Sequence, residues 1–250
     1  MKEIKYYNSY EDDFVESKNQ QYDLKKNYKW IHENIIYKFF ENIVYFFVII
    51  IAFIYSKFFL RVTIKNRKLL RHSKGYYLYS NHTQMIGDVF NPFLITFPKK
   101  PKIICSSSNL GIPIIGKILP IAGALPIPNE IHMMMDFNDS ISKLSKTRPI
   151  IIYPEAHLWP WYTMIRPFPK TSFNYPIKDD CDVYAATTTY KKSKLFRKPK
   201  IIIYIDGPFN KNDNLSKKEN IINVHDKVYE AMVNRSRYSN YDYIEYKKKD

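Results

Sequence analysis

Short, wholly apolar segments alternate along this chain with segments of helical periodicity, and this alternation constrains the fold more than any other feature. Residues 76–79 and 150–153 are rich in β-forming side chains and too short for buried helices. Similar strands are predicted at 62–64, 102–105, 122–128, 183–190 and 201–205, with helices opening at 87–88 and covering 129–145 and 219–232. The order predicts an α/β fold, with a mixed, mostly parallel central sheet flanked by helices in a single domain.

An apolar stretch precedes this pattern. Residues 42–56 are fifteen residues without a charge. As a helix they would reach about 22 Å, which is shorter than the roughly 30 Å hydrocarbon core of a bilayer. Aromatic residues extend the stretch on both sides, with Glu41 and Lys57 as interruptions. The spanning and half-embedded interpretations both stay open, beside that of a core helix in a soluble protein.

The sequence therefore divides into a polar segment at 1–34, a membrane-associated helical segment at 35–60 and an α/β domain at 61–250. Six cations follow the apolar stretch between Lys57 and Arg71, and they favour the cytoplasmic face for the domain. The first thirty residues contain no signal-peptide pattern, and the lysine-rich ends are expected to be solvated.

The formal net charge of +15 indicates an anionic partner, such as membrane lipid, nucleic acid or an acidic carrier. No helix-turn-helix, RNP-like or zinc pattern is present, so we expect no nucleic-acid partner. The two cysteines, Cys105 and Cys181, stand next to no histidine at ligand spacing, so we expect neither a disulfide framework nor a metal site. The sequence does not predict an oligomeric state.

Polar residues follow two of the predicted strands. His82 comes just after residues 76–79, and Asp88 follows at a predicted helix start. A carboxylate that fixes the tautomer of an imidazole and stabilises its cation makes that histidine a general base. Glu155 follows the second strand, which predicts one shared cleft. Taken alone, His82 would more often be an ordinary loop histidine, and Glu155 a helix cap.

Four segments in order resemble the blocks of the 1-acyl-glycerol-3-phosphate acyltransferase family, over roughly residues 40 to 210. They are Asn81-His82 with Asp88, then residues 123–127, then residues 153–155, then residues 165–170. The resemblance implies a membrane-bound enzyme that moves an acyl group from acyl-CoA or acyl carrier protein, as co-substrate and without another cofactor, to a hydroxyl of a lysolipid or glycerolipid. It implies that His82 is the base, that Asp88 orients it, and that Asn81 and Glu155 belong to the acceptor site.

The sequence departs from the family pattern at three places. Five residues separate His82 from Asp88, where four are usual. The glutamate of the third block is followed by Ala156-His157-Leu158 instead of Gly-Thr-Arg, and Asn129-Glu130 replace a basic residue after the second block. A phosphate on the acceptor would then need Arg166 or Lys170, and Arg166 is favoured because a guanidinium binds two oxygens at once. His157 either lines the site or is structural.

Two further groups of residues have more than one interpretation. Four aromatic residues form an interfacial belt, a core wall or a substrate contact: Trp159, Trp161, Tyr162 and Phe168. The run 191–198 is a solvated turn or, because Leu195 and Phe196 interrupt its lysines, a contact with anionic membrane. The competing function is a non-catalytic basic protein that binds membrane or nucleic acid.

Overall fold

Nine strands are found in the computed structural model, which describes residues 3–15 and 22–249. They are β1 Glu3–Tyr7, β2 Thr63–Lys65, β3 Tyr76–Ser80, β4 Lys102–Ser106, β5 Ala124–Ile127, β6 Pro149–Ile152, β7 Val183–Lys191, β8 Lys200–Asp206 and β9 Ile244–Lys248. The helices of the same residues are α1 Ile35–Ile54, α2 Gly87–Thr96, α3 Ile115–Ala122, α4 Met134–Ser145, α5 Asn174–Asp179 and α6 Lys217–Ser236.

Strands β2 to β8 form the central sheet in the order β2-β8-β7-β3-β6-β4-β5. Every neighbouring pair is parallel except β7 and β8, which are antiparallel. The prediction of a mixed, mostly parallel sheet flanked by helices is confirmed. The C-terminal ends of β3, β4, β5, β6 and β7 therefore lie at the same edge of the sheet as the N-terminal ends of β2 and β8. We call this edge the carboxyl edge and define it by Ser80, Ile152 and Lys191.

The central strand β3 is buried along its whole length because both faces of the sheet are covered. Tyr77 and Tyr79 pack with Phe137 of α4, with Phe173 just before α5, and with side chains of α5 and α6. Tyr76 and Leu78 lie in a second cluster on the other face, which also holds Ile95 of α2. This double burial is why the run carries no polar alternation.

The region between β4 and β5 differs from the sequence prediction. A strand was expected over residues 122–128, but α3 continues to Ala122 and β5 begins only at Ala124. Gly123, with φ of 114°, ends the helix, and a Cβ there would lie 2.5 Å from the Pro101 carbonyl oxygen. The short helix α5 was also missed, and α4 begins later than residue 129 because a 3₁₀ turn, Ile131–Met133, precedes it.

The described part of the N-terminal polar segment packs against the domain. Strand β1 pairs in parallel with β9, and most of β1 together with the lysines at 247–249 stays exposed, in agreement with the prediction of solvated ends. The buried Trp30 donates its indole N–H to the Pro126 carbonyl at 2.9 Å.

The aromatic residues after β6 form a core wall, because Trp159, Tyr162 and Phe168 are all buried.

The apolar helix α1 continues as a π-helical turn, Tyr55–Phe59. In the part of the chain that the structure describes, Ile35–Phe59 is the one helix long and apolar enough to cross a membrane by length and composition. One side of it packs on the domain through Ala52 and through Glu41, which forms ion pairs with Lys102 at 3.0 Å and Arg148 at 3.2 Å. The other side is an exposed row of large apolar residues: Ile36, Phe39, Phe40, Ile43, Phe46, Phe47, Ile50, Ile51, Ile54, Phe58 and Phe59.

Candidate active site

The His82 imidazole lies just beyond the carboxyl edge, in the loop between β3 and α2. Its Nδ1 is 2.8 Å from Oδ2 of Asp88 in the first turn of α2. The five-residue spacing therefore does not separate the two side chains, because the loop absorbs the additional residue before the helix begins. Gly87 allows this close turn, since a Cβ there would lie 2.8 Å from Cβ of Gln84.

The Asp88 carboxylate is buried and well satisfied. The oxygen that meets His82 also accepts the backbone N–H groups of Thr83 at 2.9 Å and Gln84 at 2.8 Å. Its place in the first turn of a helix further stabilises the negative charge. A charged Asp88 accepts a hydrogen bond from an Nδ1–H group of His82. Nε2 is then the ring nitrogen that carries the lone pair. The His82 side chain is 22 % exposed, so a substrate can reach it.

Tyr153 supports the pair from the end of β6. Its ring stacks on the His82 ring with centroids 4.5 Å apart, and its hydroxyl donates to the Asp88 carbonyl at 2.6 Å. Burial, and then the neighbouring Asp88 charge, raise the pKa of Tyr153 well above its ordinary value. The hydroxyl therefore stays protonated as a donor. Tyr153 belongs to the third block, and no role for it was predicted from the sequence.

Glu155 is enclosed and connects three segments of the site. Its Oε2 accepts the backbone N–H of His82 at 3.0 Å, and its Oε1 accepts the backbone N–H of Arg166 at 2.9 Å. The same carboxylate pairs with the Arg166 guanidinium at 3.1 Å. With a residue exposure of 5 %, Glu155 holds the His82 loop in place, and the predicted contact with the acceptor finds no support in this geometry.

Arg166 is buried, with 1 % of its surface exposed. Besides Glu155, its guanidinium donates to the backbone carbonyls of Tyr10, at 3.2 Å, and His157, and it lies over the Trp159 ring at 4.9 Å. Its Nε finds no hydrogen-bond partner among the described residues, but the guanidinium is enclosed and presents almost no surface to an acceptor phosphate. We therefore propose a structural role for Arg166, whereas its predicted contact with an acceptor phosphate stays a prediction that this geometry does not support.

Asn81 is likewise turned inward. Its side-chain amide donates to the Thr188 carbonyl at 3.1 Å and accepts the Thr188 N–H at 2.8 Å, so it continues the pairing of β3 with β7. It is 1 % exposed, and we assign it a positioning role instead of the predicted substrate contact.

The two other predicted contacts lie outside this cluster. The half-exposed His157 has Nδ1 3.6 Å from Asp13, and the exposed Lys170 has its ammonium group 3.5 Å from Asp226 of α6. Lys170 borders a surface cavity of about 480 Å³ together with Asn138 and Tyr175. The structure brings neither residue into contact with His82 or Asp88. Within residues 3–15 and 22–249, no group of three or more His, Cys, Asp or Glu residues could hold a metal ion.

Further residues that fix the His82 loop, among them Tyr190 of β7, were not predicted from the sequence. The buried Tyr190 hydroxyl lies 2.7 Å from Oγ1 of Thr83 and accepts from the Gln84 amide at 2.8 Å. The backbone of Trp159 donates to the His82 carbonyl at 3.1 Å. Tyr190 ends a predicted strand, and that position was the available signal, because polar groups at strand ends reach a shared site.

Exposed apolar side chains surround the accessible side of the pair. Met85, Ile86 and Val89 are 57 %, 46 % and 45 % exposed, immediately before and within the first turn of α2. Helix α2 packs against the end of α1, where the Ser56 hydroxyl donates to Asn91 at 3.0 Å. The apolar surface of α1 and that of the loop thus lie on neighbouring elements.

No protein-family model and no curated protein sequence matches the chain. Among solved structures, the chain is similar to the crystal structure of PlsC, the 1-acyl-sn-glycerophosphate (LPA) acyltransferase from Thermotoga maritima. The TM-score is 0.57 at 14 % sequence identity, and the match covers 85 % of this chain and 86 % of that one. At this identity the likeness concerns the fold.

Proposed function

We propose that the protein is an O-acyltransferase of phospholipid biosynthesis, which moves an acyl chain from acyl-CoA or acyl carrier protein to a hydroxyl of a lysolipid or glycerolipid. The observation that carries the proposal is the His82–Asp88 contact at 2.8 Å, with the imidazole reachable beside exposed apolar residues. The fold similarity to an LPA acyltransferase supports the same class of chemistry.

In this mechanism His82 is the general base. Its Nε2 takes the proton of the acceptor hydroxyl as that oxygen attacks the thioester carbonyl carbon, so a C–O bond forms while Asp88 stabilises the imidazolium. The C–S bond then breaks, and the leaving thiolate takes the proton back from Nε2. Atoms and charge balance without an acyl-enzyme intermediate.

Membrane association is the second part of the proposal. Large apolar side chains cover the outer side of α1, whereas Glu41 and Ala52 on its inner side pack on the domain. A helix held to the domain along one side fits a half-embedded position, in which only the outer side enters the lipid. The cations after α1 favour the cytoplasmic face.

The decisive experiment measures thiol release from acyl-CoA by the full-length protein in mixed micelles, with lysophosphatidate and with monoacylglycerol as acceptors. Release that depends on one acceptor supports the proposal and identifies the acceptor class. We expect His82→Ala to lower kcat by about 10²- to 10⁴-fold, as is typical when a general base is lost. Asp88→Asn should cost less, because the base itself remains.

His132→Ala is the matched control, because His132 is also paired with a carboxylate, Glu130 at 3.1 Å, but is exposed on a separate turn. Its activity should equal that of the parent protein. Undiminished turnover in a folded His82→Ala protein would refute the assignment of the base. Salt-sensitive nucleic-acid binding without thiol release would instead support a non-catalytic basic protein.

A further inference from the structure

The turn between β7 and β8 is strongly basic and has an apolar tip. Residues 191–200, which we call the basic hairpin, contain six cations and no acidic residue. None of the six forms an ion pair within the described part of the chain. At the tip, Leu195 is 88 % exposed and Phe196 is 58 % exposed. Two adjacent large apolar side chains in water, surrounded by free cations, need a partner that is both apolar and anionic.

The basic hairpin lies at the carboxyl edge, where β7 ends and β8 begins. His82 follows β3 at the same edge, and β2, which continues the chain from α1, begins there as well. The sheet topology therefore places the hairpin tip, the candidate active site and the end of α1 at one end of the molecule.

Arg61 connects the basic hairpin to the end of α1. Its guanidinium donates to Oγ of Ser193 at 3.0 Å and to the Lys198 carbonyl at 2.5 Å, and it lies over the Phe196 ring at 4.1 Å. Arg61 has a φ of 53°, a backbone conformation that non-glycine residues seldom adopt. The exposed Phe58 and Phe59 are only a few residues before it. The hairpin is thus held beside the apolar surface of α1.

We propose that the basic hairpin is a second membrane contact, in which Leu195 and Phe196 enter the interface of a bilayer and the surrounding cations bind anionic headgroups. The inference rests in part on the proposed membrane position of α1. That continuity with an apolar surface, together with the charge of the hairpin, favours an anionic bilayer over a nucleic acid or an acidic protein as the partner. Interfacial segments of this composition bind through both apolar burial and charge.

The insertion is tested by a tryptophan at the tip. In full-length Leu195→Trp protein, mixing with phosphatidylcholine–phosphatidylglycerol vesicles should shift the added emission to shorter wavelength. Lipids brominated on their acyl chains should quench it, beyond any change of the three native tryptophans in the parent protein. Asn214→Trp is the matched control, because Asn214 is exposed in the loop that follows β8 at the opposite edge of the sheet. A shift at both positions or at neither overturns the proposal.

The charge contribution is tested by removing three hairpin cations, Lys194, Arg197 and Lys198, as glutamine variants. Binding to phosphatidylglycerol-containing vesicles should fall by roughly fivefold per cation, whereas binding to pure phosphatidylcholine vesicles should stay unchanged. Glutamine at Lys217, Lys218 and Lys227, all exposed on α6, changes the net charge equally and should have a small effect. Equal losses from both triple variants would overturn the proposal.

These measurements require no turnover, so the two proposals can fail separately. If the protein releases no thiol but the tryptophan at position 195 enters the bilayer, the proposed enzymatic function is refuted and the membrane contact of the hairpin is supported. If vesicles leave that tryptophan unchanged and an oligonucleotide or acyl carrier protein shifts it, the partner is that macromolecule and the membrane contact is refuted.

Discussion

The Glu155 carboxylate accepts hydrogen bonds from the backbone N–H groups of His82 and Arg166. Because Glu155 is buried, water cannot replace this carboxylate as the partner of those groups. Removing one member of a buried ion pair costs more than the pair itself contributes, because the other charge stays buried. Arg166 is therefore expected to act on the stability of the site and only indirectly on substrate affinity.

Arg166→Met should lower the free energy of unfolding by about 3–5 kcal/mol. Lys170→Met is the matched control, because its ion pair with Asp226 is exposed, and exposed pairs contribute about 0–1 kcal/mol. Denaturant unfolding in mild detergent, with activity on both acceptors, checks this expectation. A stable Arg166→Met protein with a raised KM for lysophosphatidate alone would restore the phosphate-binding role.

Helix α1 is fixed to the domain at both of its ends. Glu41 meets Lys102 and Arg148, which lie at the beginnings of β4 and β6, whereas Ser56 meets Asn91 near the opposite edge of the sheet. The fifteen residue steps from Glu41 to Ser56 rise about 22 Å. If the helix left the domain to cross a bilayer by itself, Glu41 would lose its ion pairs with the buried Lys102 and the partly exposed Arg148, so a position on the membrane surface is favoured.

Glu41→Gln should loosen this attachment and lower the thermal midpoint of unfolding by roughly 10 °C, because Lys102 would keep a buried charge without its partner and Arg148 would lose its ion pair. Glu230→Gln, at an exposed position of α6, should change the midpoint by no more than about 1–2 °C. Thermal unfolding of both variants in the same detergent provides the comparison. Equal midpoints would mean that the apolar contacts of α1 hold it without the ion pairs.

Elements could be predicted from the sequence where a few neighbouring residues determine them. Strand β3 and the spacing of His82 and Asp88 were recognisable because a run of four apolar residues and the following polar residues determine them. Glu41 was read as an interruption of an apolar helix, because its partners are 61 and 107 residues away along the chain. The enclosure of Arg166 was missed for the same reason, since Tyr10 and Trp159, which cover it, come from separate segments. Strands β1 and β9 are polar and pair only with each other, so neither has a recognisable pattern alone.

At the scale of the whole molecule, the topology brings the end of α1, the loop before α2 and the basic hairpin to the carboxyl edge, beyond which His82 lies. The outer side of α1, the loop before α2 and the basic hairpin would all face one lipid surface, with His82 among them. Attachment should then combine burial of apolar area, which salt does not screen, with surface charge, which salt does.

Full-length protein should accordingly stay on phosphatidylglycerol-containing vesicles during a wash with about 1 M salt, where the Debye length is only ~3 Å. Detergent should release it. Cosedimentation before and after each wash measures the bound fraction. Complete release by salt would indicate that the attachment is electrostatic and that the outer side of α1 is covered by something other than lipid.

The pairing of β1 with β9 joins two strands that are synthesised at different times. On the ribosome β1 is made long before its partner β9. Trp159, against which Tyr7, Phe14 and Tyr246 pack, therefore gains its contact with Tyr246 only after β9 has been made. A chain that has not yet reached β9 would present this aromatic cluster to chaperones, and a truncation before β9 would leave it open permanently.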